Sequence, residues 1–69
     1  MKKIKSKFDV NVEITETGYS AYLEYKPGES LYSTGSNISE LNTNLVEAFN
    51  LLLEDKDMFV ETDNLCLSI

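Results

Sequence analysis

The sequence predicts a single α+β domain in which three consecutive strands are followed by one helix and a final strand, in the order β-β-β-α-β. Apolar and polar residues alternate over residues 8–15 and again over residues 19–25, which is typical of strands with one buried face. Pro27-Gly28 marks a turn, and apolar residues recur at helical spacing over residues 38–53. We therefore expect a three-stranded antiparallel meander with the helix packed on one face.

The first two strands are expected to form a hairpin closed by a two-residue loop at Thr17-Gly18, where glycine can supply a positive φ. This loop predicts core-facing pairs that are all apolar: Ile14–Ala21, Val12–Leu23 and Val10–Tyr25. On the other face it predicts Glu13 opposite Tyr22 and Asn11 opposite Glu24.

After the Pro27-Gly28 turn, Leu31–Thr34 is expected to form a short third strand, and Asn37 to cap the helix in a capping-box-like pair with Glu40. The helix has one apolar arc, formed by Ile38, Leu41, Leu45, Val46, Ala48, Phe49, Leu52 and Leu53. Leu51 falls outside this arc, either as a tolerated exposed leucine or as part of a contact surface.

The C-terminal quarter carries weaker signals. The charged run Glu54–Asp57 is expected to end the helix, and Met58–Glu61 is either a connecting segment or a short strand. Asp63-Asn64 indicates a turn before a last strand in which Leu65, Leu67 and Ile69 share a face. The apolar neighbours of Cys66 suggest a small packing residue. Residues 8–69 thus form one domain, preceded by a basic tail or strand start over residues 1–7.

Composition excludes several kinds of site and compartment. The chain has one cysteine and no histidine, so an internal disulfide is excluded and a metal site is not expected. The lone cysteine fits a reducing compartment, and no apolar run is long enough for a secretion signal or a membrane span, so we expect a cytoplasmic protein.

Charge is distributed unevenly along the chain. Four of the six lysines lie in residues 1–7, and beyond them only Lys26 and Lys56 oppose twelve carboxylates, which leaves residues 8–69 with a net charge of −10. Such a body repels phosphate backbones, so we do not expect direct nucleic-acid binding. It suits a basic protein partner, although an acidic surface also simply aids solubility.

The residues needed for common catalytic chemistry are missing. Histidine is absent, so neither Cys66 nor a serine has the usual base beside it, and the sequence has no phosphate-binding or dinucleotide-binding glycine motif. We therefore expect no catalytic residues and no cofactor. The remaining enzymatic hypothesis is a metal-dependent nuclease using Asp9 and Glu13, yet carboxylates at this spacing usually form the solvated side of a sheet.

Two features suggest binding surfaces. The face of the predicted hairpin opposite the helix carries an aromatic ring framed by carboxylates, which suits a basic partner; its residues are Asp9, Asn11, Glu13, Tyr22 and Glu24. The alternative is an ordinary sheet surface with one exposed tyrosine. Separately, a small domain with free sheet edges favours self-association, most simply as a dimer.

Three ordered motifs give the chain a resemblance to a known family. Gly18-Tyr19-Ser20-Ala21-Tyr22-Leu23 is followed by Lys26-Pro27-Gly28-Glu29 and then by Ser33-Thr34-Gly35-Ser36-Asn37-Ile38-Ser39-Glu40. In this order and spacing, over roughly residues 8–55, they resemble the N-terminal domain of HicB-type antitoxins. The resemblance implies a β-β-β-α-β fold likened to a partial ribonuclease H core, and neutralisation of a small, basic, RNA-cleaving HicA-type toxin.

Two departures from the family pattern matter. Residue 29 is glutamate where the family commonly has cysteine, and the chain stops at Ile69, where such antitoxins usually continue into a DNA-binding domain. Operator binding is therefore not expected. The sequence leaves two functions open: an antitoxin-like module that binds a basic toxin, and a stand-alone homo-oligomeric structural or regulatory module without a toxin.

Overall fold

The computed structural model, which describes residues 1–68, confirms the α+β fold: one helix lies on one face of a four-stranded sheet. The strands are β1 (Lys2–Lys3), β2 (Phe8–Thr15), β3 (Gly18–Lys26), β4 (Glu29–Gly35), β5 (Met58–Phe59) and β6 (Leu65–Ser68), and the helix is α1 (Ile38–Leu53). Short 3-10 turns at Glu54–Lys56 and Thr62–Asn64 flank β5. No helix among residues 1–68 combines the length and the apolar character needed to cross a membrane.

The main sheet has the order β4-β3-β2-β6. The predicted antiparallel meander is present in β2, β3 and β4, and β6 returns to pair with β2 in parallel. The lysine-rich N-terminal segment contains the short strand β1. This strand pairs in parallel with β5 and forms a separate two-stranded sheet. Ile69, the last residue of the predicted final strand, lies outside the described residues.

The core lies between the main sheet and α1. It is formed by buried side chains from the strands, the helix and the segment after it: Val10, Val12, Ala21, Leu23, Leu41, Leu45, Phe49, Leu53, Val60 and Leu65. The Phe49 side chain is fully buried. Its ring centroid lies 5.1 Å from that of Phe8, in an edge-to-face arrangement, and 5.4 Å from that of Tyr25. Aromatic pairs at these distances add to the stabilisation from burial alone.

Residues at the ends of the predicted apolar faces are less buried than the pattern suggested. Ile14 is 70% exposed at the end of β2, and Ile38 is 37% exposed at the first position of α1. Leu51 is 71% exposed, in agreement with its position outside the helical arc. The core is therefore concentrated on the middle of the sheet.

The predicted register of the first hairpin is wrong by two residues. Val12 pairs with Ala21 and Thr15 with Gly18, so the loop is Glu16-Thr17. Gly18 is the first residue of β3, with φ of 152°, and a Cβ there would lie 2.4 Å from the Gly35 carbonyl oxygen. The glycine thus permits a close approach to the end of β4 and does not form the turn. Because the register differs from the prediction by an even number of residues, every side chain stays on the face of the sheet that was predicted for it.

The second hairpin contains an irregularity that the sequence analysis did not predict. Lys26 pairs with Glu29 across the expected Pro27-Gly28 loop, where Gly28 has φ of 83°. The register then shifts by one residue between Glu24 and Lys26, which is a β-bulge at Tyr25. The third strand is longer than expected, because β4 pairs with β3 from Glu29 to Gly35.

The start of α1 confirms one half of the predicted capping pair. The Asn37 side-chain oxygen accepts a hydrogen bond from the Glu40 amide at 2.8 Å. The Glu40 carboxylate, however, reaches one residue further back, accepting from the Ser36 amide at 3.2 Å and from its hydroxyl at 3.1 Å. The helix entry is therefore held by Ser36, Asn37 and Glu40 together.

Two asparagines hold the segment after the helix in place. The Asn50 side chain donates to the Val60 carbonyl and accepts from the Val60 amide, at 3.1 and 2.7 Å. The buried Asn64 amide nitrogen donates to the carbonyls of Ile4 and Ser6 at 2.8 and 2.9 Å, and its oxygen accepts from the Glu61 amide at 2.9 Å. Both asparagines thus satisfy backbone groups that regular secondary structure leaves unpaired.

A surface ion pair adds a further link between the N-terminus and this segment. Lys3 Nζ lies 3.0 Å from the Asp63 carboxylate, and this hydrogen bond lowers the pKa of Asp63 from its ordinary value. Asp63 is exposed, so the pair orients the two segments more than it stabilises them.

Candidate partner-binding face

The five residues predicted for a binding surface lie together on the face of the sheet opposite α1. We call this surface the outer face; it comprises Asp9, Asn11, Glu13, Tyr22 and Glu24, all exposed. The residues that alternate with them along β2 and β3 are buried beneath the helix. Strand geometry therefore presents the outer-face side chains in the same direction.

The pairing of neighbours on this face differs from the prediction because the hairpin register differs. Asn11, not Glu13, lies opposite Tyr22, and Glu13 lies opposite Ser20. Asn11 also pairs with Ser68 of β6, and Tyr22 pairs with Tyr32 of β4. One row across the sheet thus reads Ser68, Asn11, Tyr22, Tyr32.

Tyr32 is a member of this surface that the sequence analysis missed. Its side chain is 68% exposed, more than that of Tyr22 at 45%, and the two residues are directly paired. Without a bulge, the Pro27-Gly28 hairpin would place Tyr32 on the helix side of the sheet. The bulge at Tyr25 shifts the register between β3 and β4 by one residue, and this shift places Tyr32 on the outer face.

A shallow groove follows this row. It has a volume of about 580 Å³ and is lined by side chains from four strands, including Asn11, Glu13, Ser20, Tyr22, Tyr32 and Ser68. The lining offers hydroxyl, amide and carboxylate groups beside two aromatic rings. The two tyrosines are of a residue type that is enriched in protein-binding surfaces, where aromatic rings provide contact area.

The carboxylates of the outer face have no internal counter-ion among residues 1–68. The ion pairs there use Asp57, Asp63 and Glu29 as their acidic partners. Asp9, Glu13 and Glu24 form none of them, so their charges are available to a cationic group from another molecule. Clustered carboxylates of this kind attract basic partners and accelerate their association.

The nuclease hypothesis requires a metal site near Asp9 and Glu13. These two residues do lie on one face, separated along β2 by Asn11. Within the described part of the chain, however, no three Asp, Glu, Cys or His side chains come together as potential ligands. The geometry gives this hypothesis no support beyond the two carboxylates themselves.

Cys66 is exposed, so its prediction as a packing residue is wrong. It alternates along β6 with Leu65, which is buried, and Leu67, which is half-buried, and it pairs with Asp9 of the outer face. Its apolar neighbours in sequence therefore point to the opposite side of the sheet.

No protein-family model, curated protein or solved structure matches this chain. The resemblance to HicB-type antitoxins therefore remains a prediction from the ordered sequence motifs.

Proposed function

We propose that this protein is a non-catalytic binding module whose outer face takes a basic protein partner. The observation that carries the proposal is the grouping around Tyr22 of three carboxylates that form no ion pair within residues 1–68. Exposed aromatic residues framed by charge are frequent anchors of protein interfaces. The net charge of −10 over residues 8–69 also attracts a basic partner, at longer range.

The partner we propose is a small, basic, RNA-cleaving toxin of the HicA type, which the protein would neutralise in the cytoplasm. The support is the ordered sequence motif together with an acidic surface suited to a basic ribonuclease. The residues of that motif have structural roles here: Gly28 lies in a turn, Gly35 at a tight contact, and Asn37 at the helix cap.

The experiment is a comparison of two variants with the same change in net charge. The first neutralises the outer face through Asp9→Asn, Glu13→Gln and Glu24→Gln. The second neutralises three exposed carboxylates elsewhere, through Glu47→Gln, Glu54→Gln and Asp55→Asn. Each tagged protein is used to capture partners from the native cell, followed by mass spectrometry and measurement of the affinity for the captured protein.

We expect the wild type and the second variant to retain a small basic protein in stoichiometric amount. We expect the first variant to bind it about 10–100-fold more weakly, because several charge pairs of an interface are lost. Equal binding by both variants would place the contact elsewhere. Capture of no basic protein would remove the antitoxin assignment and favour a stand-alone homo-oligomeric module.

A further inference from the structure

β4 is a long edge strand without the usual protection against pairing. It spans seven residues at the margin of the main sheet, whereas the opposite edge strand, β6, spans four in the described part of the chain. Residues 30–34 are Ser-Leu-Tyr-Ser-Thr, with no charge and no proline. Natural edge strands normally carry lysine, proline or a bulge on the exposed side, since a bare edge pairs with other strands.

The backbone groups of this edge that point away from β3 belong to even-numbered residues. The Thr34 carbonyl accepts a hydrogen bond from the Asn44 side chain at 2.8 Å, so it is directed away from β3. In an antiparallel ladder, alternate residues direct both backbone groups to the same side. Ser30 and Tyr32 therefore also present their amide and carbonyl groups outwards.

We propose that two copies of this chain associate by antiparallel pairing of β4 about a two-fold axis at Tyr32. Tyr32 would then face its own copy in a hydrogen-bonded pair, and Ser30 would face Thr34 of the second copy. A two-fold axis requires a self-complementary edge, and this segment satisfies the requirement because Ser30 and Thr34, which face each other in this register, are both small and polar. The result is a continuous eight-stranded sheet.

Side chains on the outer face agree with this register. Tyr22 pairs with Tyr32 within one copy, so the dimer would carry a row of four tyrosines across the new junction. Only the central pair, Tyr32 with Tyr32 of the second copy, crosses the junction, and a cross-strand aromatic pair of this kind stabilises a sheet. Glu29 would lie opposite Gly35 of the second copy, so no carboxylate faces another one across the junction.

Charge sets the expected salt dependence. Each copy has a net charge of −6, while residues 30–34 at the centre of the paired segment carry no charge. Association should therefore become stronger with added salt, because salt screens the repulsion between the two acidic bodies. Binding of a basic partner to the outer face should become weaker. The proposed dimer does not depend on the antitoxin assignment.

The test compares Tyr32→Lys with Tyr22→Lys by analytical ultracentrifugation over a range of protein and salt concentrations. Both side chains are exposed, so both variants should fold, which far-UV circular dichroism checks. Tyr32→Lys places like charges opposite each other across the two-fold axis and should weaken dimerisation at least about tenfold. Tyr22→Lys lies one strand away and should remain close to the wild type.

A disulfide cross-link tests independently whether Tyr32 of one copy pairs with Tyr32 of the other. In a Cys66→Ser background, Tyr32→Cys should form a disulfide-linked dimer under mild oxidation, because Cα atoms of a hydrogen-bonded antiparallel pair lie about 5.5 Å apart. Tyr22→Cys in the same background should not. A wild type that stays monomeric at all concentrations, or a dimer unaffected by Tyr32→Lys, would overturn the proposal.

Discussion

Replacing Gly35 with alanine should destabilise the protein by about 3 kcal/mol, since it forces an extra carbon into a filled space. A Cβ at this position would lie 2.5 Å from the Leu41 amide nitrogen and 2.7 Å from its Cα. Both are backbone atoms of α1, so no side-chain rotation can relieve the contact. The helix would have to move away from the end of β4, which would loosen the packing around the buried Leu41 side chain.

Gly28→Ala is the matched control. Gly28 has φ of 83°, and a Cβ there meets no atom within 4 Å. This substitution should cost only about 1 kcal/mol, from the left-handed conformation alone. Urea unfolding followed by circular dichroism measures both losses. Equal losses in the two variants would mean that β4 and α1 do not approach each other as closely as described.

Asn64→Ala is the second substitution with a large expected effect. It removes three hydrogen bonds and leaves the carbonyls of Ile4 and Ser6 and the amide of Glu61 without this partner. Because Asn64 is only 3% exposed, water does not readily replace the side chain. We expect a loss of about 2–3 kcal/mol, most of it from unsatisfied backbone groups.

Asn50→Ala serves as the comparison for this prediction. Asn50 is half-buried and bonds both backbone groups of one residue, Val60, so its loss should cost less, about 1–2 kcal/mol. Hydrogen exchange adds a local reading: Asn64→Ala should accelerate exchange of the Ile4 amide, which donates to Phe59. A stability within about 0.5 kcal/mol of the wild type would contradict the anchoring role of Asn64.

Residue patterns predicted the fold class and the outer face because alternation determines which side chains share a face of a strand. The two-residue error in the first hairpin left Asp9, Glu13 and Tyr22 on the predicted side, since faces repeat every second residue. The bulge at Tyr25 had the opposite consequence: a shift of one residue moved Tyr32 onto the outer face. Alternation along each strand does not show where one strand carries an extra residue relative to its partner.

Local sequence patterns also did not predict the strand pairings between distant parts of the chain. β1 consists of two lysines without apolar alternation, and it forms because the chain end lies beside Met58–Phe59. The parallel pairing of β6 with β2 likewise has no local signal. Cys66 was misplaced because its apolar neighbours were counted along the chain, although in a strand they point to the other side.

Mapping the contact by NMR tests most directly whether the outer face binds a basic protein. The ¹⁵N-labelled protein would be titrated with the captured basic partner or with a catalytically inactive HicA-type toxin. We predict amide shift changes along residues 9–13 and 20–24 that diminish with added salt, while the amides of α1 stay unchanged. Changes concentrated on α1, with the outer face unaffected, would contradict it.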